Sequence, residues 1–188
     1  MIFFTADQHF GHENIIRYCH RPFSTVEQMD HVMIDRWNEL VRPGDTVYHL
    51  GDFTLLDKSA ARQYFARLNG IIYVLYNPWH HDKRWLPTHN RGIVPDCGTL
   101  QGIAIGLRPP IHVLEFPELG DGKHPLAVVL CHYPLAEWER KHYGSIHLHG
   151  HSHGKYHAED RIWDIGVDAN HFMPVSLDLI YARMTDGT

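Results

Sequence analysis

His147–Lys155 reads HLHGHSHGK, with histidines at every second position: 147, 149, 151 and 153. In an extended backbone side chains alternate with a period of two, so four such imidazoles would share one face. Unpaired stacked imidazoles pack poorly. Neutral imidazole is, however, a good ligand for zinc, iron and related ions, and ligands must converge from one side. The chain carries 18 histidines in 188 residues, so some clustering is expected, and a disordered histidine tract would bind metal only loosely. Against that reading, Gly150 interrupts the row, and the preceding SIHLHG is an apolar alternating run ended by glycine, a strand entering a tight turn. At least two of the four are expected to ligate metal, His151 and His153 in the turn ahead of His147 and His149 in the strand.

Composition bounds the rest. A chain of 188 residues suits one well-buried domain, 1–188, with no visible linker. Hydrophobic residues make up 44% and aromatics 12%, as in globular proteins. No run approaches the roughly 18 apolar residues of a membrane span, and MIFFTADQHF has no signal-peptide pattern, so a cytoplasmic protein without a membrane partner is expected. Cys19, Cys97 and Cys131 form no Cys-x-x-Cys pair and read as buried free thiols. A net charge of −5 offers no basic surface for a stable nucleic-acid partner.

The strongest helix signal is STVEQMDHVMIDRWNELVRPG, residues 24–44. Ser24 and Glu27 suggest a capping box, Val26, Met29, Met33, Trp37 and Leu40 recur at helical spacing, and Pro43 and Gly44 form the stop. A second helix is expected from about Lys58 to Asn69, capped by Gly70. Five runs have strand length: IFFTA, TVYHLG, IIYVLY, LAVVLC and SIHLHG. GTLQGIAIGL and IHVLEFPEL read as further, more antiparallel strands, and RIWDIGVDA and PVSLDLIYARM as two more. Two sheets packed together with helices outside is the simplest architecture for this α/β pattern.

The residues directly after the five runs carry the chemistry. IFFTA leads to Asp7 and His9, TVYHLG to Asp52, IIYVLY to Asn77, LAVVLC to His132, and SIHLHG to His151 and His153. Ligands of open α/β sheets bind beyond the carboxyl ends of strands. Any one of these residues alone is more often a turn, a cap or a satisfied core histidine. Seven together exceed one tetrahedral site, and a two-metal centre with a bridging carboxylate fits the count.

DQH at 7–9, GD at 51–52, an asparagine motif at 77–82, CH at 131–132 and GHSH at 150–153 together resemble the calcineurin-like metallophosphoesterases, in that family's order along nearly the whole chain. TADQHFGHENIIRYCHRPF and GVDANHFMPVSLDLI are further similar to a group of small stand-alone bacterial and phage phosphoesterases. The resemblance implies a four-layer α-β-β-α sandwich, two mixed β-sheets packed together and flanked by helices. It implies that Asp7, His9 and His153 hold one divalent ion, that Asn77, His132 and His151 hold the other, and that Asp52 bridges them. His147 and His149 then become supporting or core residues. One motif departs from the family's Gly-Asn-His-Asp: here YNPWHHDKRW has Tyr76 for glycine and three residues between Asn77 and His81–Asp82. Either Asn77 ligates across a bulged loop, which is favoured because it comes directly after the strand, or His80 takes that place; the catalytic histidine is His81, or alternatively His80.

The implied activity is hydrolysis of a phosphoester, a diester ahead of a monoester, by a hydroxide bridging two divalent ions (manganese, iron, zinc or nickel) that lower the pKa of bound water toward about 7. The substrate would be a small molecule or nucleotide. His12 and Asn14, in HFGHEN, are candidates for substrate contact from a helix start, with Asn14 as a simple cap the alternative; Arg17 and Arg21 are weaker candidates, such arginines being more often surface residues. Neither Cys19 nor Cys131 precedes an arginine by six positions, against a cysteine-nucleophile phosphatase. The competing reading is a non-catalytic metal-binding regulatory or scaffold protein of the same fold. Oligomeric state is not legible.

Overall fold

The computed structural model describes residues 1–77, 81–86, 98–100, 103–157 and 161–185. Among these the strands are β1 (Ile2–Thr5), β2 (Thr46–His49), β3 (Ile71–Leu75), β4 (Gly98–Leu100), β5 (Ile103–Arg108), β6 (Ile111–Phe116), β7 (Leu126–Cys131), β8 (Ile146–His149), β9 (Ile162–Asp164) and β10 (Val175–Ser176). They form two mixed sheets, ordered β10-β1-β2-β3-β5-β4 and β6-β7-β8-β9. In the first, β1, β2, β3 and β5 run parallel, with antiparallel β10 and β4 at the edges. In the second, β7, β8 and β9 run parallel, with β6 antiparallel at the edge. The expected antiparallel character of the middle section therefore belongs to two different edges. Pro109 and Pro110, which cannot donate to a ladder, separate β5 in one sheet from β6 in the other.

Period-two alternation sorts the strand residues into layers. Phe3, Val47, Ile72, Val74, Ile105 and Leu107 pack with Met29, Met33 and Trp37 of α2 (Val26–Leu40) and with Ala61 and Phe65 of α3 (Lys58–Phe65). On the other side, Phe4 and Leu75 meet Leu126, Val128, Leu130, Ile146 and Leu148 from the second sheet. Each such fully buried large side chain contributes roughly 1.5–3 kcal/mol of transfer free energy. The result is the expected α/β sandwich of two mixed sheets with helices. No helix among the described residues is long and apolar enough to cross a membrane.

Local signals place the helices with shifts of a few residues. The cap of α2 is Thr25 rather than Ser24: its hydroxyl accepts from Gln28 N (3.2 Å), while the Gln28 side chain accepts from Ser24 N (2.8 Å). The capping bonds expected of Ser24 and Glu27 thus shift to Thr25 and Gln28, with the Gln28 side chain reaching the residue before the cap. Leu40, expected on the buried face of α2, is exposed at its end. Helix α3 starts on an Asp57 cap and ends at Phe65, short of Asn69. Gly70, at φ +103°, opens β3 where a Cβ would lie 2.9 Å from Val41 Cγ1. PVSLDLIYARM is strand for only two residues. Leu177 onward forms α4 (Leu177–Thr185), because Leu177 and Ile180 share a helical face buried in the core and the Ser176 hydroxyl accepts from Leu179 N (3.2 Å).

Candidate metal centre

Asp7, His9, Asp52, Asn77, His132, His151 and His153 each lie within a few residues past the end of a strand, and the parallel strands bring those carboxyl ends together. Among the described residues three groups have ligand atoms within 4.8 Å of one another: Asp7, His9 and His153; Asp52, His132 and His151; and Cys19, His153 and Asp168, which shares His153 with the first. The first two hold the residues expected from the sequence. Asp52 joins them. Its Oδ2 lies 3.6 Å from His9 Nε2 and 3.5 Å from His132 Nε2. Asn77 stands two residues past β3, at the same end of the same sheet. His81 opens a 3-10 turn, His81–Arg84, with its ring 5.9 Å from that of His9. The ring of His12 lies 5.6 Å from His9 on another flank. His80 and Cys97 fall outside the described residues.

Helix α1 (Glu13–Tyr18) begins after His12, which caps it without a side-chain hydrogen bond. Asn14 is therefore not the cap; its side-chain oxygen accepts from Arg17 Nη2 (2.6 Å).

The backbone is unusual where it carries the cluster. Asp7, His9, Asp52, His151 and His153 all have φ between +48° and +65°, five of nine such non-glycine residues among those described. Left-handed backbone at non-glycine residues costs of order 1 kcal/mol or more each and gathers at functional sites. It also ends the alternation expected across His147–His153: only His147 and His149 lie in β8, and His151 and His153 turn away from it. His147 donates from Nδ1 to Val129 O (3.0 Å) and accepts at Nε2 from Leu135 N (3.1 Å), and burial pushes its pKa down to about 4. It is a neutral, fully paired core residue. His149 Nδ1 pairs with Gly150 O (2.8 Å).

Supporting residues hold the donors in place. Asp7 Oδ2 accepts from His151 N (2.9 Å), and a Cβ on Gly150 or Gly166 would come within 2.7 or 2.5 Å of that oxygen, so only glycine fits at either position. Arg21, expected at the surface, is buried. Its guanidinium grips Asp168 with two bonds (2.8 and 2.7 Å) and donates to the carbonyls of Gln8 (2.8 Å) and Asp7 (2.7 Å). Asp168 Oδ2 in turn pairs with His153 Nδ1 (2.7 Å), leaving Nε2 as that ring's remaining ligand atom. Asp164 organises the histidine turn, accepting from Ser152 Oγ, Gly154 N and Gly166 N (2.8 Å each). Sequence reasoning missed Asp164 and Asp168. The rule that found the others would have included Asp164, which ends β9.

The unpartnered donor atoms suit a cation. Asp7 Oδ1, both ring nitrogens of His9 and Asp52 Oδ1 are buried without a hydrogen-bond partner. Such orphaned atoms cost free energy unless something binds them, and a convergent set of carboxylate oxygens and imidazole nitrogens fits a divalent ion. Burial pushes the Asp7 carboxyl up to about 7, against the pull of His132 and His153. Burial also acts to raise Asp52, but the hydrogen bond and charge of His132, with His9 and His81, hold it below the usual range. Burial lowers His9, His12 and His151, keeping each neutral at pH 7. For His153 burial is outweighed by its hydrogen bonds to Asp168 and Cys19, which lift it to about 10. Cys19 is half-buried, not buried as expected; Cys131 is buried.

Asp82 is a buried carboxyl whose Oδ1 accepts from Phe53 N (2.9 Å), Thr54 N (3.2 Å) and Trp85 Nε1 (2.8 Å). Burial, then the Asp52 charge, raise its pKa from 3.8 to about 7. Between those values the folded chain keeps a proton that the unfolded chain has released, so this group makes stability fall as pH rises from about 4 to 7. Asp82→Asn retains the acceptor and removes the titration. In metal-free protein it should flatten the loss of stability between pH 5 and 7 by a few kcal/mol, on the order of 1.4 per unit. Urea unfolding at the two pH values measures this, and an unchanged slope would contradict it.

No family model matches the sequence. The chain is 31% identical over 196 residues to the uncharacterized protein MJ1445 of Methanocaldococcus jannaschii, covering 99% of this chain and 92% of that one, and it belongs to that protein's family. It is also similar to the gene 66 protein of Mycobacterium phage L5, at 25% identity over 186 residues, covering 88% of this chain and 86% of the phage protein. Among solved structures, that of AQ665 from Aquifex aeolicus, a protein of unknown function, has the same fold: TM-score 0.66 at 22% identity, over 96% and 97% of the two chains. These relatives supply a family and a fold, not an activity.

Proposed function

We propose that this protein is a phosphoesterase dependent on two divalent metal ions, acting on phosphodiesters in preference to monoesters. The observation that carries the reading is the pair of donor groups, Asp7/His9/His153 and Asp52/His132/His151, with one Asp52 oxygen facing a histidine of each. Asn77 would complete the second group from the end of β3. Bound there, the ions would supply Lewis acidity and neutralise phosphoryl charge. The chain's own contribution is positioning. Left-handed backbone aims the donors inward, Arg21 and Asp168 fix the ring of His153, and His12 and His81 stand beside His9 where they can hold a proton near a leaving oxygen.

The test is hydrolysis of a chromogenic diester and the matching monoester by chelator-stripped protein titrated with manganese, zinc, nickel and magnesium. Turnover should be absent from stripped protein and return with at least one metal, faster for the diester. Two tightly bound ions with no turnover on either ester would instead favour the non-catalytic metal-binding reading.

A further inference from the structure

We infer that Tyr133 is a stacking platform for an aromatic group of the substrate, which makes the preferred ester a small nucleoside phosphodiester rather than a simple alkyl one. The inference rests on the phosphoesterase reading above and adds the substrate class to it. Tyr133 is 38% exposed although its ring is steeply inclined to two residues of the second donor group, at 5.0 Å and 82° from His132 and 4.6 Å and 67° from His151 between ring centroids and planes. A group esterified to a phosphate held between the two donor groups lies within reach of that ring.

The backbone that carries the ring is held on both sides. Pro134 restricts the Tyr133 backbone, the carbonyl just before it accepts from Gly150 N (3.0 Å), and Leu135 N, just after it, donates to the buried His147 ring (3.1 Å). A backbone held before binding reduces the entropy lost when a base stacks on its side chain. On the flank of the first donor group a second exposed tyrosine, Tyr18 (64%), leans on His12 at 6.3 Å. Aromatic faces beside a phosphate site, on a chain of net charge −5, favour a single nucleoside unit over a long polyanion, whose binding relies on basic surface.

A matched pair of probes isolates the base: adenosine 2′,3′-cyclic phosphate and glycerol 1,2-cyclic phosphate share the same five-membered cyclic diester, and ³¹P NMR follows ring opening of both. With metal-loaded wild-type protein the nucleoside ester should have a KM about tenfold or more below that of the glycerol ester, the usual scale for one base stacked on one ring. Tyr133→Ala should collapse that ratio to less than about threefold, and Tyr133→Phe, which keeps the ring and loses only the hydroxyl, should preserve it. Equal KM values in wild type, or a ratio that survives Tyr133→Ala, would overturn the platform while leaving the hydrolase intact. Loss of the ratio in Tyr133→Phe would overturn stacking in favour of a hydroxyl contact. Turnover of neither ester by protein that has bound metal would remove the activity on which the inference stands.

Discussion

Asp52→Asn is expected to lower metal-restored hydrolysis by on the order of 10³-fold, with a native far-UV circular dichroism spectrum. The substitution keeps the size and shape of the side chain. It replaces a carboxylate, whose Oδ2 faces His9 Nε2 at 3.6 Å and His132 Nε2 at 3.5 Å, with an amide that has a single acceptor oxygen and carries no charge. Such a group cannot neutralise or join two cations held by the flanking donors. Mutation of either flanking histidine would disturb one donor group; Asp52 is the residue through which the two become one centre. Initial rates for wild type and variant across a metal titration measure the effect, and turnover within tenfold of wild type would sink the two-ion account.

The largest effect on stability is expected from Arg21→Met, which should lower the melting temperature by on the order of 10 °C. Removing the guanidinium breaks a buried pair, a loss of about 3–5 kcal/mol, leaves the buried Asp168 with His153 Nδ1 in place of the two-point grip, and deprives the carbonyls of Asp7 and Gln8 of a donor. For a chain of this size each kcal/mol shifts the midpoint by roughly 2–4 °C. Arg21→Lys should recover little, because one ammonium cannot reproduce the two-point grip on Asp168 together with both carbonyl contacts. Asp168 also orients His153, so the same variant should weaken metal binding. Thermal melts of metal-free protein separate the two effects, and a shift below about 3 °C would show that the grip matters little.

Much of the sandwich is legible in the sequence because its strands are short apolar runs with sharp ends. IFFT, TVYH, IIYVL, LAVVLC and IHLH each form a strand, and the polar residues just beyond them meet at one end of the sheets. That polar residues beyond strand ends gather in one place can be read from sequence alone, since it needs only where a run stops. The errors fall where tertiary contacts decide. PVSLDLIYARM alternates well enough to suggest a strand, yet its leucine and isoleucine spacing also suits the helical face that the core selects. Arg21 looks like an ordinary surface arginine, since nothing local announces that Asp168, 147 residues away, will pair with it. The regular spacing of His147–His153 suggests a single face. Left-handed backbone at His151 and His153, which sequence does not reveal outside glycine, divides the row into two core histidines and two members of the candidate donor groups.

The most direct measurement is a count of bound metal by inductively coupled plasma mass spectrometry on chelator-stripped protein reloaded with manganese or zinc, with Asp52→Asn treated in parallel. Two ions per chain in the wild type, falling to one or none in the variant, is the result predicted for a centre joined by Asp52. One ion or none in the wild type, or two retained by Asp52→Asn, would contradict it.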